Sequence, residues 1–105
     1  DILYVSDLVE AFHRYISLEP SQNYVFNIGG GPENKITLLQ CIEILEGMLG
    51  KTIPVKFEPW RTADQKYYVS DISKAKKLLK WAPHIKAKDG LSHLFKWASH
   101  NLHVV

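Results

Sequence analysis

Short strand-like segments alternate with longer amphipathic segments along this chain, and this alternation constrains its fold more than any other feature. The strand-like segments are apolar and rich in residues that favour strands: 2–5, 24–28 and 53–57. The other segments repeat apolar residues at helical spacing: 7–18, 37–49, 71–79 and 88–102. A Pro-Ser-Gln-Asn break at residues 20–23 separates the first helix from the second strand. This alternation predicts an α/β fold with about three short strands and four helices.

Polar residues and glycines mark where the helices begin and end. Asp7 with Glu10, and Thr37 with Gln40, have the spacing of a capping box. We therefore predict that Asp7 and Thr37 cap the first two helices. Gly50 follows the second helix and is predicted to terminate it, since glycine adopts the left-handed conformation that ends many helices.

The 105 residues suffice for a single domain, residues 1–105, with a hydrophobic core. The segment 24–28 is apolar throughout, a pattern typical of a strand covered on both faces. A free-standing domain with so few strands and helices has too few other elements to cover both faces of this strand. Because the chain also opens on a strand and without Met, we expect a piece of a longer protein. We expect the missing cover in the rest of that protein or in a second copy, and an open apolar face predicts a homo-oligomer.

The composition is that of an ordinary soluble protein and argues against several classes of function. The net charge of +2 is too small to indicate a nucleic-acid-binding protein, and Lys74, Lys76, Lys77 and Lys80 fit one solvated helix face. No apolar run approaches the ~20 residues of a membrane helix, and no signal peptide is visible. The single cysteine, Cys41, excludes an internal disulfide and is predicted to be buried in the second helix. A cytoplasmic location is the default expectation.

The linker between the third strand and the third helix carries Arg61 and Asp64, three positions apart. Loops held by a stable scaffold often carry functional groups. A fixed guanidinium can grip a phosphate through two parallel hydrogen bonds, and a carboxylate can accept hydrogen bonds from sugar hydroxyls. The pair therefore suggests a site for a nucleotide or a phosphorylated sugar. The alternative is a surface ion pair that contributes about 0–1 kcal/mol.

The usual catalytic patterns do not occur in this sequence. Gly29–Gly31 follows a strand, but the G-x-G-x-x-G fingerprint of dinucleotide binding fails, because no third glycine follows in place. These glycines fit a turn that needs positive backbone angles. No tyrosine has the lysine four positions later that would lower its pKa for proton transfer. The histidines do not converge, so the sequence gives no catalytic residue and no metal ligand.

Short segments in every part of the chain match motifs that occur together in one family. In the family's order they are Asp1–Leu8 (R-D-x-x-Y-V-x-D-[LV], whose arginine would precede Asp1), Phe26–Gly31 (F-N-[IL]-G-x-G), Trp60–Gln65 (R-x-G-D), Asp71–Ala75 with Leu79–Pro83 (D-x-x-K-A and L-G-W-x-P), and Asp89–Leu91 (E-G-[IL]). The chain thereby resembles the extended short-chain dehydrogenases, the NAD-dependent nucleotide-sugar epimerases and dehydratases. The wording of Trp60–Asp71 is most similar to that of the cytidine-diphosphate-sugar 2-epimerases (paratose and tyvelose epimerases).

The resemblance implies roles for particular residues. In the family, the arginine of R-x-G-D binds the diphosphate of the nucleotide sugar and the aspartate binds the ribose, which implies these roles for Arg61 and Asp64. Tyr68 falls where some members place an aromatic residue near the substrate. Ala63 and Lys80 each replace a glycine of the family's motifs. The loop is held differently if the position of Ala63 needs a positive φ.

The resemblance also implies what the chain lacks. The family's glycine-rich NAD loop and its Tyr-x-x-x-Lys pair lie upstream of the matching part. The chain is therefore expected to be the C-terminal, substrate-binding part of an NAD-dependent nucleotide-sugar epimerase or dehydratase, inactive alone and without tight NAD binding. Its expected partners are a nucleotide-diphosphate sugar and the missing N-terminal NAD-binding domain, with no nucleic acid and no membrane. The alternative is a non-catalytic small α/β module for protein association.

Overall fold

The computed structural model of the chain describes residues 1–19 and 24–102, and within them it contains four α-helices. In chain order these are α1 (Val5–Ile16), α2 (Leu38–Leu49), α3 (Ser73–Leu78) and α4 (Ala87–His100), with a 3-10 turn at Pro32–Asn34. The break predicted at residues 20–23 lies outside the described residues. Within the described ranges, no helix combines the length and the apolar composition that crossing a membrane requires.

The prediction of an α/β fold is wrong, since no strand or sheet forms in residues 1–19 and 24–102. The segments 24–28 and 53–57 lack the paired hydrogen bonds of a sheet, and Val5 begins α1 instead of ending a strand. Residues with strand propensity form a strand only where a neighbouring strand completes the ladder of hydrogen bonds. In the described part of the chain, Ile2 donates one such bond, to the backbone oxygen of Asn34 at 3.2 Å, and no ladder follows.

The hydrophobic core lies between α1, α3 and the segment that follows α3. Its buried members are Ala11, Ile72, Ala75, Leu79 and Trp81. Trp81 is the largest of them and is 1% exposed. Its indole N–H donates to the backbone oxygen of Asp7 at 2.9 Å, so its one polar atom is satisfied inside the core. Partly buried residues from the non-helical segments pack against this cluster: Leu3, Leu18, Phe26 and Ile28.

Asp7 does not cap α1, so that prediction is wrong. The helix begins at Val5 after Tyr4 and has no side-chain cap, which places Asp7 inside its first turn. The Asp7 side chain is buried, and its Oδ2 accepts hydrogen bonds from the backbone N–H groups of His84 and Ile85 at 3.1 and 2.9 Å. A buried carboxylate is tolerated only with such partners. The residue that looked like a local cap therefore joins α1 to the segment before α4.

Arg14 makes a second connection from α1 to the segment after α3. Its guanidinium pairs with Glu10 on the same helix at 2.6 Å. Its Nη1 donates to the backbone oxygen of Lys80 at 2.6 Å and lies 3.4 Å from that of Leu79. These carbonyls follow the last turn of α3, where helix carbonyls lack partners within the helix. Arg14 thus satisfies the C-terminal end of α3 from a neighbouring helix.

The predicted ends of α2 are confirmed, but its predicted burial is not. Thr37 and Gln40 form the capping box, with bonds of 3.1 and 2.9 Å, and Gly50 ends the helix with φ 66°. However, α2 has no buried residue: Cys41 is only half-buried and Leu38 is 82% exposed. The helix packs against α4 and otherwise presents apolar residues to solvent. A helix this apolar is ordinarily enclosed by other elements.

The described residues do not form a compact sphere. The radius of gyration is 16.7 Å, against about 13 Å for a compact domain of about 100 residues. Large apolar side chains lie at the surface, among them Leu94 of α4, which is 54% exposed. The core is therefore small, and much apolar surface is left for other contacts.

Lys80 should be replaceable by glycine with a gain in stability. It has φ 54°, and the left-handed region costs a non-glycine residue roughly 1–2 kcal/mol, part of which glycine's greater unfolded-state entropy offsets. We expect Lys80→Gly to raise the free energy of unfolding by up to about 1 kcal/mol, measured by urea denaturation. Lys77→Gly, in an ordinary helical conformation in α3, is the matched control and should lose about 1 kcal/mol. A loss of stability at both positions would contradict this assignment.

Candidate functional site

The segment between α2 and α3 carries the residues predicted to bind a ligand. Residues 54–68 are exposed throughout. A turn at residues 61–64 is closed by a hydrogen bond from the Asp64 N–H to the Arg61 backbone oxygen at 3.3 Å. Ala63 lies in this turn with φ 63°. The position where the family's motif has glycine does require a positive φ, and this chain places alanine there at some cost in strain.

The structure brings Arg61 and Asp64 together. The Arg61 Nη2 and Nε atoms lie 2.9 and 3.2 Å from Asp64 Oδ2. The two side chains are 85% and 42% exposed, so the ion pair contributes about 0–1 kcal/mol to stability. A guanidinium has five N–H donors in a planar fork. Asp64 engages one side of that fork through a single oxygen, Oδ2. The Nη1 side of the guanidinium and the Oδ1 atom of Asp64 make no hydrogen bond to the described residues.

Trp60 and Lys66 also make contacts in this loop, and the sequence motifs predict no role for either residue. The indole N–H of Trp60 donates to the Asp64 backbone oxygen at 3.2 Å. The Lys66 ammonium lies 5.4 Å from the centroid of the Trp60 ring, within range of a cation–π interaction. The only signal in the sequence was an aromatic residue directly before the arginine, which does not by itself indicate a contact across the turn.

Tyr68 lies apart from the Arg61–Asp64 pair in its contacts. Its hydroxyl is 3.3 Å from the Oγ of Ser70, a buried residue, and its backbone oxygen accepts from the terminal ammonium of Asp1 at 3.0 Å. Tyr68 is 58% exposed, and no hydrogen bond joins it to Arg61 or Asp64 in the part of the chain described. Tyr68 thus stands where the exposed loop returns to the body of the protein.

The glycine loop before α2 is packed against the chain itself. A Cβ on Gly29 would lie 2.0 Å from Ser70 Oγ, and one on Gly30 would lie 2.0 Å from the Ile2 backbone oxygen. Gly31 has φ 69° and donates its N–H to Asp1 Oδ2 at 2.6 Å. These glycines permit close approach of neighbouring protein groups and a turn. The space beside Gly29 and Gly30 is therefore filled by Ser70 and Ile2.

Two depressions lie elsewhere on the surface. An apolar cavity of about 310 Å³ is lined by residues 2–5, residues 85–87 and part of α4. A second, of about 340 Å³, lies beside the start of α3 and is bordered by Asp71, Ser73 and Lys76. Neither includes Arg61 or Asp64. The candidate loop is therefore an open surface, and a ligand bound there would need a second surface to enclose it.

Charged groups near the second depression have structural partners. A hydrogen bond from the Ser73 hydroxyl, supported by one from its backbone N–H, lowers the pKa of Asp71. Lys86 lowers the pKa of Glu33 by donating a hydrogen bond and by its charge, with a smaller contribution from the charge of Lys76. Among residues 1–19 and 24–102, no group of three or more His, Cys, Asp or Glu side chains could hold a metal ion. Both carboxylates are exposed: Asp71 bonds to the first residue of α3, and Glu33 pairs with Lys86, which directly precedes α4.

Known proteins with sequences similar to this chain match it over all or nearly all of its length. No family model matches. A UDP-glucuronate 4-epimerase of Thermodesulfobacterium geofontis (strain OPF15) is 37% identical over 105 residues, which are 100% of this chain and 32% of the relative. A CDP-paratose 2-epimerase of Salmonella typhi is 29% identical over 100 residues, 94% of this chain and 30% of the relative. The chain thus spans about a third of the length of the curated relatives it matches.

A solved structure supports the same relationship. The UDP-glucose 4-epimerase of Bifidobacterium longum, crystallised with NAD+ and UDP, superposes with a TM-score of 0.86 at 27% identity. The superposition covers 97% of this chain and 30% of that chain. The arrangement of helices and connecting segments described above therefore recurs inside a chain about three times as long.

Proposed function

We propose that this chain, a homologue of the NAD-dependent nucleotide-sugar epimerases, is the nucleotide-sugar-binding lobe of such an epimerase or of a related dehydratase. The observation that carries the proposal is the Arg61–Asp64 pair, held in an exposed turn at the position of the family's R-x-G-D motif. We place the enzyme in the cytoplasm and the lobe in a single substrate-binding domain, residues 1–105.

In this proposal Arg61 holds the diphosphate. Asp64 engages the Nε and Nη2 atoms of the guanidinium and leaves the Nη1 side of this 85% exposed side chain without a hydrogen bond to the described residues. Two neighbouring phosphate oxygens can accept parallel hydrogen bonds from that side, which a lysine ammonium cannot reproduce. The ion pair with Asp64 need not break when the ligand binds, because the phosphate oxygens use the other side of the guanidinium. The pair can then restrain the orientation of the guanidinium in the complex.

Asp64 and Tyr68 complete the proposed contacts with the nucleotide sugar. The Asp64 Oδ1 atom can accept a hydrogen bond from a ribose hydroxyl while Oδ2 stays on Arg61. The Tyr68 hydroxyl and ring lie at the edge of the same loop, on the side that returns to Ser70. Both residues are exposed enough to reach a ligand, and their roles are those implied by the family resemblance.

The cofactor and the reacting groups belong to another domain in this proposal. NAD bound by that domain would supply reversible hydride transfer at a sugar carbon. The residues here do not fit a dinucleotide, because Ser70 and Ile2 occupy the space beside Gly29 and Gly30. In this proposal no residue of this chain is catalytic, and alone the chain neither epimerises a sugar nor binds NAD tightly.

Helix α1 carries the surface on which we propose that a second domain docks. Its apolar stripe points outward, with Val5 61%, Val9 48%, Phe12 56% and Ile16 79% exposed, while the opposite face buries Asp7. An amphipathic helix ordinarily turns its apolar face to a partner and its polar face to water. Here the face turned to the core is the more polar one, so the apolar stripe is suited to a partner outside the described residues.

The occupant that we propose for this stripe is the NAD-binding domain of the parent enzyme. In the homologous structure, the part that matches this chain is about 30% of a single longer chain, so more than twice as many residues lie outside the match. The stripe is also continuous with the 310 Å³ apolar cavity, since Val5 belongs to both. Two copies paired only through a helix about 18 Å long would bury less than the roughly 800 Å² per partner of a standard interface, so such a pairing is expected to be weak and concentration-dependent. A domain that covers both stripe and cavity fits better than a second copy.

Removal of Arg61 should weaken binding of UDP to the isolated chain. We expect Arg61→Ala to cost about 1.5–3 kcal/mol of binding free energy, measured by calorimetric titration, because it removes a charge-assisted contact. Arg61→Lys should recover only part of the loss, since it cannot form two parallel bonds. Lys56→Ala is the matched control: it removes an equally exposed cation of the same segment and should leave the affinity nearly unchanged. Equal losses for Arg61→Ala and Lys56→Ala would contradict a specific role for Arg61.

Without its NAD-binding domain, the chain should self-associate through α1. We expect a dimer or larger species in analytical ultracentrifugation, because the apolar stripe is open to a second copy. Val9→Asp should shift the chain towards monomer by placing a charge in the stripe. Val25→Asp, at another exposed valine, should not. A clean monomer for the unmodified chain at all concentrations would contradict the open apolar face.

A further inference from the structure

The loop that carries Arg61 and Asp64 is held by its own residues. Within the described part of the chain, every hydrogen bond made by Trp60, Arg61 and Asp64 joins one of these residues to another. All three side chains are substantially exposed. The body of the protein therefore does not set the direction of the guanidinium, and contacts inside the loop must do so.

The backbone alone does not favour this turn. Ala63 has φ 63°, a conformation that alanine rarely adopts and glycine adopts freely. A turn with alanine at this position opens readily unless side chains close it. The contacts that bridge its two ends therefore determine how much of the time Arg61 and Asp64 are paired.

Trp60 is the side chain that bridges the turn. Its indole N–H reaches the backbone oxygen of Asp64 at 3.2 Å, and the ammonium of Lys66 lies 5.4 Å from its ring centroid. We propose that Trp60 is the positioning residue of the Arg61–Asp64 pair: it fixes the backbone at Asp64, and the Asp64 carboxylate then orients the guanidinium. This inference rests on the proposed nucleotide-sugar site and adds to it the residue that preorganises it.

The test uses Trp60→Phe, which removes the N–H donor and keeps an aromatic ring beneath Lys66. UDP affinity should fall about fivefold, the loss expected for one neutral hydrogen bond. In the Arg61→Ala background the same substitution should have a much smaller effect, because the guanidinium is gone and only the Asp64 contact is left to position. Trp97→Phe, at a half-exposed tryptophan of α4, is the control and should leave the affinity unchanged. An unchanged affinity in Trp60→Phe, or an equal loss in both backgrounds, would overturn the proposal.

A measurement without ligand separates this inference from the proposed function. The ¹H–¹⁵N heteronuclear NOE of the Arg61 Nε–H group reports how rigidly the guanidinium is held. It should fall in Trp60→Phe and stay the same in Trp97→Phe. If UDP fails to bind the unmodified chain, the proposed function fails, and the NOE alone then decides the positioning role. An NOE in Trp60→Phe equal to that of the unmodified chain would overturn it.

Discussion

The placement of α3, α4 and the segment between them depends on the polar contacts that α1 makes, above all through Asp7. Its backbone oxygen accepts from the buried indole of Trp81, and its carboxylate accepts from the backbone N–H groups of His84 and Ile85. Arg14, two turns further along α1, holds the carbonyls that end α3. Since α3 and α4 are joined by this segment, α1 fixes both of them. A buried carboxylate is costly when unpaired, so the arrangement specifies one position for the segment.

The same use of α1 explains why the molecule is so open. Because the polar face of the helix is turned inward to make these bonds, its apolar face is left outside, with Ile16 79% exposed. The apolar helix α2 likewise buries none of its residues. Exposed contiguous apolar surfaces ordinarily mark sites of interaction with another surface. A lobe of a larger enzyme, which contributes a binding loop and docks through α1, accounts for both observations.

Local sequence signals predicted local structure well and tertiary structure poorly. Features that depend on a few neighbouring residues are found in the structure. They are the capping box at Thr37, the end of α2 at Gly50 and the positive φ of Ala63, where the motif has glycine. The prediction of strands was wrong because a ladder of hydrogen bonds needs a partner strand, and strand propensity does not reveal whether a partner is present. Asp7 was misassigned because its partners lie more than seventy residues away, at His84 and Ile85.

The candidate site follows the same division. The motif order placed Arg61 and Asp64 in one loop, and the structure joins them at 2.9 Å, but Trp60 was found only from its contact across the turn.

Chemical-shift mapping of the ¹⁵N-labelled chain during titration with UDP tests the central claim most directly. The account predicts the largest changes at the Arg61 Nε–H, the Asp64 amide and the Trp60 indole. Saturable changes confined to Gly29–Gly31 or to α4, with none at Arg61, would contradict it.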